Sequence, residues 1–488
     1  MNDDEVWADE RFTSFRREVE AMARDGKLAS NQIGHDLIFN TADGPSSYIY
    51  ADWGASGRAL QLVEDFLRDT VLPYYANPHT RASLFGRRTN ALRAAARTIV
   101  ASYCGAGEDC SVIFTASGAT SGLGKLGQLL GVCGQAEAEG TLILVGPYEH
   151  HSNLLPWRMT GSQVCQIRED LATGGPDLRH MQELLESARK RAVVCAFSAG
   201  SNVSGIGCDQ RAITLLAKSH GAKIVWDYAA AAPYLPVAQL MAEGSADAIV
   251  FSPHKFLGGP GAAGVLVVRN TAVSLRVPTQ AGGGTVRYVT ADHHVFHDSI
   301  AAREEAGTPN LPAEIRAALA LIVKEAIQES PSRGTAMRHL HRARRSLAAC
   351  AHIEMLAPDQ VPVLPFLPIR VRKPDQGHVH HQLITRLLSD HCGIQVRGGC
   401  ACAGPYVHRL LGIDEQEQAN RRDLVLQGRE DAKPGFVRIC FSDLHSEEEV
   451  DRIISALAEM PMTLRAAREN YRLDRATAIF HPRSGDRN

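Results

Sequence analysis

The stretch Ala248-Ile-Val-Phe251-Ser252-Pro-His-Lys255 is a short apolar run followed by a lysine. A second apolar run, Lys223-Ile-Val-Trp226, ends in Asp227. Near-continuous apolar runs of this length predict strands covered on both faces, as in a mostly parallel sheet flanked by helices. Such sheets bind ligands beyond the carboxyl ends of their strands. Lys255 and Asp227 are therefore predicted to face one ligand pocket.

Further strands and helices alternate along the chain in the same way. The other apolar runs predict strands at 112–114, 142–145, 193–197 and 265–268, and helical patterns lie at 118–130, 177–191 and 210–220. The first 30 or so residues carry Phe12, Phe15, Val19 and Met22 on one face of an amphipathic helix. The sequence therefore predicts the α/β class, with a mostly parallel sheet and a smaller C-terminal α+β domain.

The pattern divides the chain into five predicted segments. We expect an N-terminal helical segment, a large ligand-binding domain, a linker helix, a small C-terminal domain and a polar tail, at residues 1–47, 48–312, 313–338, 339–462 and 463–488.

Composition excludes several classes of protein. A formal charge of −2 over 488 residues argues against a nucleic-acid groove or an anionic membrane surface as the partner. No apolar run approaches the ~18 residues of a membrane span. The acidic N-terminus is unlike a secretory signal, and 11 scattered cysteines are typical of reduced thiols in the cytoplasm. A cytoplasmic enzyme is expected.

Chemically useful residues follow the predicted strands rather than precede them. Ser117-Gly118-Ala119-Thr120, His150 and Asn202 each come after a strand, as Asp227 and Lys255 do. Isolated surface residues would rarely fall this way as a set. The free N–H groups that open the helix at Gly118 make a cradle for an anion, although an ordinary helix cap has the same sequence.

Together these side chains suit pyridoxal 5′-phosphate (PLP). Lys255 can hold the aldehyde as a Schiff base, and Asp227 can pair with the pyridinium nitrogen so that the ring remains an electron sink. The phosphate is expected at Gly118, Ala119 and Thr120, with further donors from Ser252 and His254. His150 can stack on the ring, and Asn202 can donate to its phenolic oxygen.

Several motifs in order resemble the class V aminotransferase family of PLP enzymes, and within it the cysteine desulfurase and selenocysteine lyase branch. The resemblance runs from about Tyr50 to Asp451. It is carried by Ser117–Thr120, by Glu149-His-His-Ser-Asn-Leu-Leu-Pro-Trp157, Ser201-Asn-Val203, Trp226-Asp227, Ser252–Lys255 and Glu305-Ala-Gly-Thr-Pro-Asn310.

The resemblance implies fold type I and a homodimer with the active site at the subunit interface. Gly282-Gly-Gly284-Thr285 resembles the segment that reaches the cofactor phosphate of the partner subunit. Cys402 falls where the family places the cysteine that attacks the substrate's sulfur. Arg438 matches the arginine that grips the substrate carboxylate, with Arg397 and Asn202 as further substrate-binding residues. A sulfur-acceptor protein is a further implied partner.

The chain departs from the desulfurase pattern at two places. Ala230 stands where the branch carries a glutamine near the ring oxygen. The cysteine loop carries Gly399-Cys400-Ala401 where the branch tends to carry a histidine pair. Both differences count against a cysteine desulfurase more than they count against a PLP enzyme.

Alternatives remain open at this point. Another class V enzyme (an aminotransferase, an epimerase or a selenocysteine lyase) would leave Cys402 as packing, and a non-catalytic scaffold would use none of these groups. Cys400 and Cys402 do not form a recognisable metal pattern, so no metal is expected. Gly259-Pro-Gly261-Ala-Ala-Gly264 matches a dinucleotide fingerprint as text, but it precedes a strand instead of opening a helix.

Overall fold

The computed structural model describes residues 2–42, 44–133, 140–189, 191–374 and 376–483. The strands, β1 to β19 in chain order, are Ile38–Thr41, Gly44–Ser47, Ile49–Tyr50, Cys110–Thr115, Thr141–Val145, Gln163–Gln166, Ala192–Ser198, Lys223–Asp227, Ala248–Phe251, Gly264–Arg269, Val286–Val289, His294–Phe296, Ile353–Met355, Phe366–Val371, Ile394–Gln395, Arg397–Gly399, Phe436–Cys440, Tyr471–Asp474 and Ile479–Pro482.

The α-helices, α1 to α16 in chain order, are Asp3–Arg24, Gln61–Phe66, Leu84–Tyr103, Gly118–Leu129, Leu155–Met159, Leu178–Ser187, Gln210–Ser219, Ala238–Ala242, Ile300–Glu304, Leu311–Gln328, Thr335–Leu347, His381–Cys392, Gly404–Leu410, Glu415–Leu426, Glu447–Ala458 and Met460–Ala467. Among the residues described, no helix combines the length and apolar character that crossing a membrane requires.

A seven-stranded sheet forms the centre of the large domain, in the order β4-β10-β9-β8-β7-β5-β6. Only β10 runs against its neighbours, and the remaining pairs are parallel. All six apolar runs of the sequence lie in these strands. Because β7, β8 and β9 are adjacent and parallel, the residues that follow them meet at one edge of the sheet. The predicted fold class is confirmed.

Helices cover both faces of this sheet. On one face α3 packs against α1 and α10, and on the other α4 packs against β9 and β10. Helix α1 begins with a capping box between Asn2 and Glu5 and buries Phe12, Phe15 and Val19, as its amphipathic pattern predicts. Helix α10, predicted as a linker, is buried along nearly its whole length in the large-domain core. It is mostly apolar because protein surrounds it, and its charged residues Glu314, Arg316 and Glu325 form ion pairs.

The small domain is built on the antiparallel sheet β13-β14-β17-β16, covered by α11, α12 and α15. Strand β3 pairs in parallel with β15, and Ile49 and Ala51 belong to the small domain's core. The segment around Ile49 and Ala51 therefore connects the large domain to the small one. The domain boundaries stay a prediction. After α16 the polar tail forms the hairpin β18–β19, in which Tyr471 donates to Asp390 at 2.9 Å. Tyr471 and Phe480 pack against the core of the small domain, and β19 contacts α12.

Candidate functional site

The carboxyl edge of β7, β8 and β9 encloses a cavity of about 190 Å³. It brings together nearly all the residues predicted for the cofactor. Its walls consist of Ser117, Ala119, Thr120, His150, Ser152, Ser198, Gly200, Asn202, Asp227, Ala229, Ala230, Ser252, His254 and Lys255. Sequence reasoning assigned no role to Ser152 and Ser198. Ser198 is the last residue of β7, and Ser152 lies in the segment that follows β5.

Lys255 and Asp227 share this cavity and interact electrostatically. Burial lowers the pKa of Lys255 to about 8, and the opposite charge of Asp227 partly offsets that effect. Burial raises the pKa of Asp227, although its Oδ1 accepts a hydrogen bond from the Ala229 N–H at 2.7 Å. Near neutral pH an appreciable fraction of Lys255 is an uncharged amine, the form that reacts with a carbonyl.

The start of α4 forms a tight cradle beside Ser252 and His254. Gly118 has a φ of +59°, and a Cβ there would lie 2.7 Å from Ser252 Oγ and 3.0 Å from His254 Cε1. Ala119 donates its N–H to Ser252 Oγ at 2.9 Å, which leaves the hydroxyl proton of Ser252 available to a ligand. The Ser117 side chain does not cap the helix. An anion is the natural ligand of such a helix start.

Both histidines of the cavity are uncharged. Burial, with the positive charge of Lys255, lowers the pKa of His150 to about 3 and that of His254 to about 4. A neutral imidazole presents a flat ring and one N–H donor. His150 Nδ1 accepts the N–H of Ser152 at 3.1 Å, so the proton is on Nε2. Thr120 and Ser152 join their hydroxyls at 2.7 Å across the cavity wall.

Glu149 forms hydrogen bonds to Ser198, which lies in the wall of the cavity. Its carboxylate accepts hydrogen bonds from the N–H and hydroxyl of Ser198, at 2.9 and 2.6 Å, and from Asn153 Nδ2 at 2.6 Å. Burial nevertheless raises its pKa to about 7, with a smaller contribution from the nearby Asp227. The sequence placed Glu149 within a motif without assigning it a task, and only the fold reveals its partners on β7.

Cys402 lies on a strained loop between β16 and α13. Ala401 and Cys402 have φ values of +49° and +55°, which cost non-glycine residues about 1–2 kcal/mol each. The thiol is on an exposed residue, and its charge acts on Lys255. Asn202 donates Nδ2 to the Ala401 carbonyl at 2.6 Å, while its Oδ1 is buried without a partner. Asn202 therefore links the cavity wall to the cysteine loop and keeps one polar atom for a ligand.

Two arginines converge on a carboxylate that the sequence reading missed. Arg438 is 2% exposed and donates to Asp52 Oδ1 at 3.2 Å and to the Asn202 carbonyl at 2.6 Å. Arg397 is half-exposed and donates Nε to Asp52 Oδ2 at 3.2 Å. Both guanidinium groups lower the pKa of Lys255, which places them near the lysine. Asp52 follows β3, a strand too short for periodicity to detect.

Gly284 and Thr285 do not line the cavity. Thr285 is buried and donates Oγ1 to the Gly282 carbonyl at 2.6 Å, and Gly284 lies against His79. Gly282 and Gly283 are exposed. Within the described residues no histidine, cysteine or carboxylate cluster suits a metal ion, and no metal site was expected.

The residues present fit PLP. A buried carboxylate faces a buried amine, a flat neutral imidazole lies beside them, and a helix start with hydroxyl donors can take a phosphate. Ala230 lines the cavity at the position where the related branch carries glutamine. Because Asn202 Nδ2 is bonded to Ala401, Asn202 offers a ligand its acceptor Oδ1 in this arrangement.

Comparisons with known proteins agree with this geometry. The family model "Aminotransferase class-V" matches residues 49–453. A probable cysteine desulfurase of Vibrio cholerae is 30% identical over 419 residues, covering 84% of this chain and 92% of the relative. Cysteine desulfurase CsdA of Escherichia coli K12 is 28% identical over 415 residues, covering 84% and 93%.

Solved structures support the same architecture. The crystal structure of Escherichia coli cysteine desulfurase CsdA, in an S-sulfonic acid form, matches with a TM-score of 0.68 and 25% identity over 86% of this chain and 95% of that one. The apo cysteine desulfurase of Thermococcus onnurineus gives a TM-score of 0.71 over 89% and 97%, and at 24% identity it shows the fold alone. The predicted family, its PLP dependence and fold type I are confirmed.

Proposed function

We propose that this chain, which belongs to the class V aminotransferase family, is a cysteine desulfurase that converts L-cysteine into alanine and takes up the sulfur on Cys402. The position of Cys402 carries the proposal. An exposed thiol on a hydrogen-bonded loop lies close enough to Lys255 to act on its pKa. The desulfurase relatives of similar length support the same activity.

Lys255 is proposed to accept the substrate's Cα proton and to return it. When bound, PLP supplies an electron sink for the electrons of the substrate's Cα–H bond. With its pKa lowered to about 8, Lys255 Nζ can accept the Cα proton and give it back at neutral pH. The carboxylate of Asp227 faces the same cavity and is proposed to hold a proton on the ring nitrogen.

The remaining cavity residues are proposed to bind and orient. The N–H groups of Gly118 and Thr120, the hydroxyl of Ser252 that Ala119 orients, and His254 would hold the phosphate, and His150 would stack on the ring. Arg438 and Arg397, already paired with Asp52, are proposed to receive the substrate carboxylate, since a guanidinium fork fixes both position and plane. Asn202 connects Arg438 to the cysteine loop, because its main-chain carbonyl accepts from Arg438 and its side-chain amide donates to the Ala401 carbonyl.

Cys402 is proposed to take the sulfur by nucleophilic attack. Its thiolate attacks the substrate's sulfur, a sulfur–sulfur bond forms, and the bond from sulfur to Cβ breaks with both electrons staying on carbon. The carbon then takes a proton to complete alanine, and the enzyme keeps a persulfide. A second thiol, from an acceptor protein or a reductant, must remove that sulfur before the next turnover.

A homodimer is part of the proposal. The glycine segment Gly282–Gly284, of which Gly282 and Gly283 are exposed, leads into the hairpin β11–β12, on which Tyr288, Val289 and Val295 are each more than half exposed. An apolar hairpin of this kind is typical of a surface that a second copy covers. Gly284 would then serve the partner's phosphate site, with Thr285 holding the turn through its hydrogen bonds to Gly282. We also infer a cytoplasmic location, in keeping with cysteines that form no disulfide in the described part of the chain.

A product assay over a panel of amino acids tests the proposal. The PLP-loaded protein is incubated with each amino acid and a thiol reductant, and alanine, sulfide and pyruvate-coupled amino transfer are measured. We expect alanine and sulfide in equal amounts from L-cysteine. Amino transfer without sulfide would instead assign the chain to another reaction of the family.

A further inference from the structure

One residue outside the cavity, His151, contacts the strained cysteine loop at two points. The main-chain N–H of His151 donates to the Cys402 carbonyl at 2.7 Å. The His151 side chain accepts at Nε2 the N–H of Gly404 at 3.0 Å. One histidine therefore contacts the backbone at Cys402 and again two residues further on, at Gly404.

The hydrogen bond from the Gly404 N–H determines the protonation state of the His151 imidazole. Because Nε2 accepts a hydrogen bond, His151 must be neutral with its proton on Nδ1. Its environment favours that form, since burial and the charge of Arg158 lower the pKa of His151. Gly404 stands where the loop enters α13, and a Cβ there would lie 3.2 Å from the same nitrogen.

The loop needs such support, because Ala401 and Cys402 are both in the left-handed region without being glycine. A strained loop relaxes when its contacts are removed. Within the loop the Ala403 N–H donates to the Cys400 carbonyl at 3.0 Å, and before the thiol Asn202 donates to the Ala401 carbonyl. His151 supplies the contacts at and after the thiol, and it directly follows His150 on the cavity wall.

We propose that His151 is a positioning residue that latches the Cys402 loop beside the cofactor cavity and so sets the reach of the thiol toward the substrate's sulfur. This inference deepens the proposed function and rests on it for the identity of the substrate. The latch itself is a property of the resting protein. It makes sulfur transfer depend on a side chain that contacts neither cofactor nor substrate.

The length of the side chain gives a matched pair of variants. Glutamine places its Oε1 as far from Cα as the histidine Nε2, so His151→Gln can still accept the Gly404 N–H. His151→Ala removes the acceptor and keeps the main-chain donor. His341→Ala, at an exposed position on α11, controls for the loss of a histidine.

Hydrogen exchange of the PLP-loaded protein, followed by mass spectrometry on peptides spanning 399–410, tests the latch without turnover. In His151→Ala we expect the loop to exchange about fivefold faster, the factor that one ordinary hydrogen bond contributes. The cofactor spectrum and its shift on adding L-cysteine should stay unchanged, as should KM, while kcat falls by a similar factor. His151→Gln should restore both exchange and kcat, and His341→Ala should match the wild type.

Unchanged loop exchange in His151→Ala, or a loss of cofactor binding that equals the loss of kcat, would overturn the latch. If the wild type makes no alanine from cysteine while exchange still separates the variants, the latch stands and the proposed function fails.

Discussion

Asp52 and Arg438 form a buried ion pair, with 3.2 Å between Oδ1 and Nη2 and both side chains less than a tenth exposed. The same carboxylate accepts Arg397 through its other oxygen. Asp52 therefore holds two guanidinium groups in place beside the lysine, at a point where the N-terminal segment meets the small domain.

Asp52→Ala is expected to destabilise the protein by about 3 kcal/mol, because removing one partner leaves a buried charge uncompensated. KM for L-cysteine should rise as Arg438 loses its orientation. Urea unfolding and steady-state kinetics measure the two effects. Asp36→Ala, at an exposed position, is the control, and equal stability of the two variants would contradict the role of the pair.

Lys255 predicts how cofactor loading depends on pH. Because burial lowers the pKa of this amine to about 8, the rate at which cofactor-free protein binds PLP covalently should rise with pH and level off above about 8. Stopped-flow absorbance at a series of pH values measures that rate. Asp227→Asn should move the midpoint downward, since Asp227 raises the pKa of the lysine. A midpoint near the ordinary 10.5 would show that Lys255 is not desolvated.

Gly118→Ala tests the phosphate cradle. The added methyl would meet Ser252 Oγ at 2.7 Å, in a backbone conformation that costs alanine about 1–2 kcal/mol. We expect about tenfold weaker PLP binding, measured by titration of the cofactor-free protein. Gly124→Ala lies on the same helix with open space around it, and it should leave affinity unchanged while slightly stabilising α4. Equal PLP affinity of the two variants would show that the start of α4 does not bind the phosphate.

Glu149 predicts a pH dependence of stability. The pKa of this carboxyl is raised from 4.5 to about 7, so between these values the folded state keeps a proton that the unfolded state has lost. Its contribution to stability is complete below about pH 4.5 and is lost as the pH rises through about 7. Glu149→Gln should reduce the fall in unfolding free energy across this range by about 2 kcal/mol in urea titrations. The exposed Glu448→Gln should keep the wild-type slope, and an unchanged slope in Glu149→Gln would contradict this prediction.

The sequence predicted the central sheet well because each buried strand is a short apolar run that ends in a chemically distinctive residue. The sequence predicts one pocket for four residues because each follows a predicted strand. The structure places all four around one cavity: Lys255, Asp227, Asn202 and Thr120. Parallel strands make this possible, since a single geometric rule brings their carboxyl ends together.

Long-range pairings could not be predicted in this way. Asp52 meets Arg438 across 386 residues of sequence, and His151 meets Gly404 across 253. Neither contact leaves a periodic signal, because each depends on how two domains dock. The tail hairpin was missed for a related reason, since its strands are half exposed and gain their stability from α12.

Single-turnover product analysis of Cys402→Ala measures whether alanine formation requires the thiol of residue 402. The PLP-loaded variant is mixed with L-cysteine, and the cofactor spectrum and the alanine formed are measured together, with Cys400→Ala as the matched control. We predict that Cys402→Ala keeps the bound cofactor and its spectral response to cysteine but forms no alanine, while Cys400→Ala forms alanine as the wild type does. Alanine formation at the wild-type rate by Cys402→Ala would contradict the account.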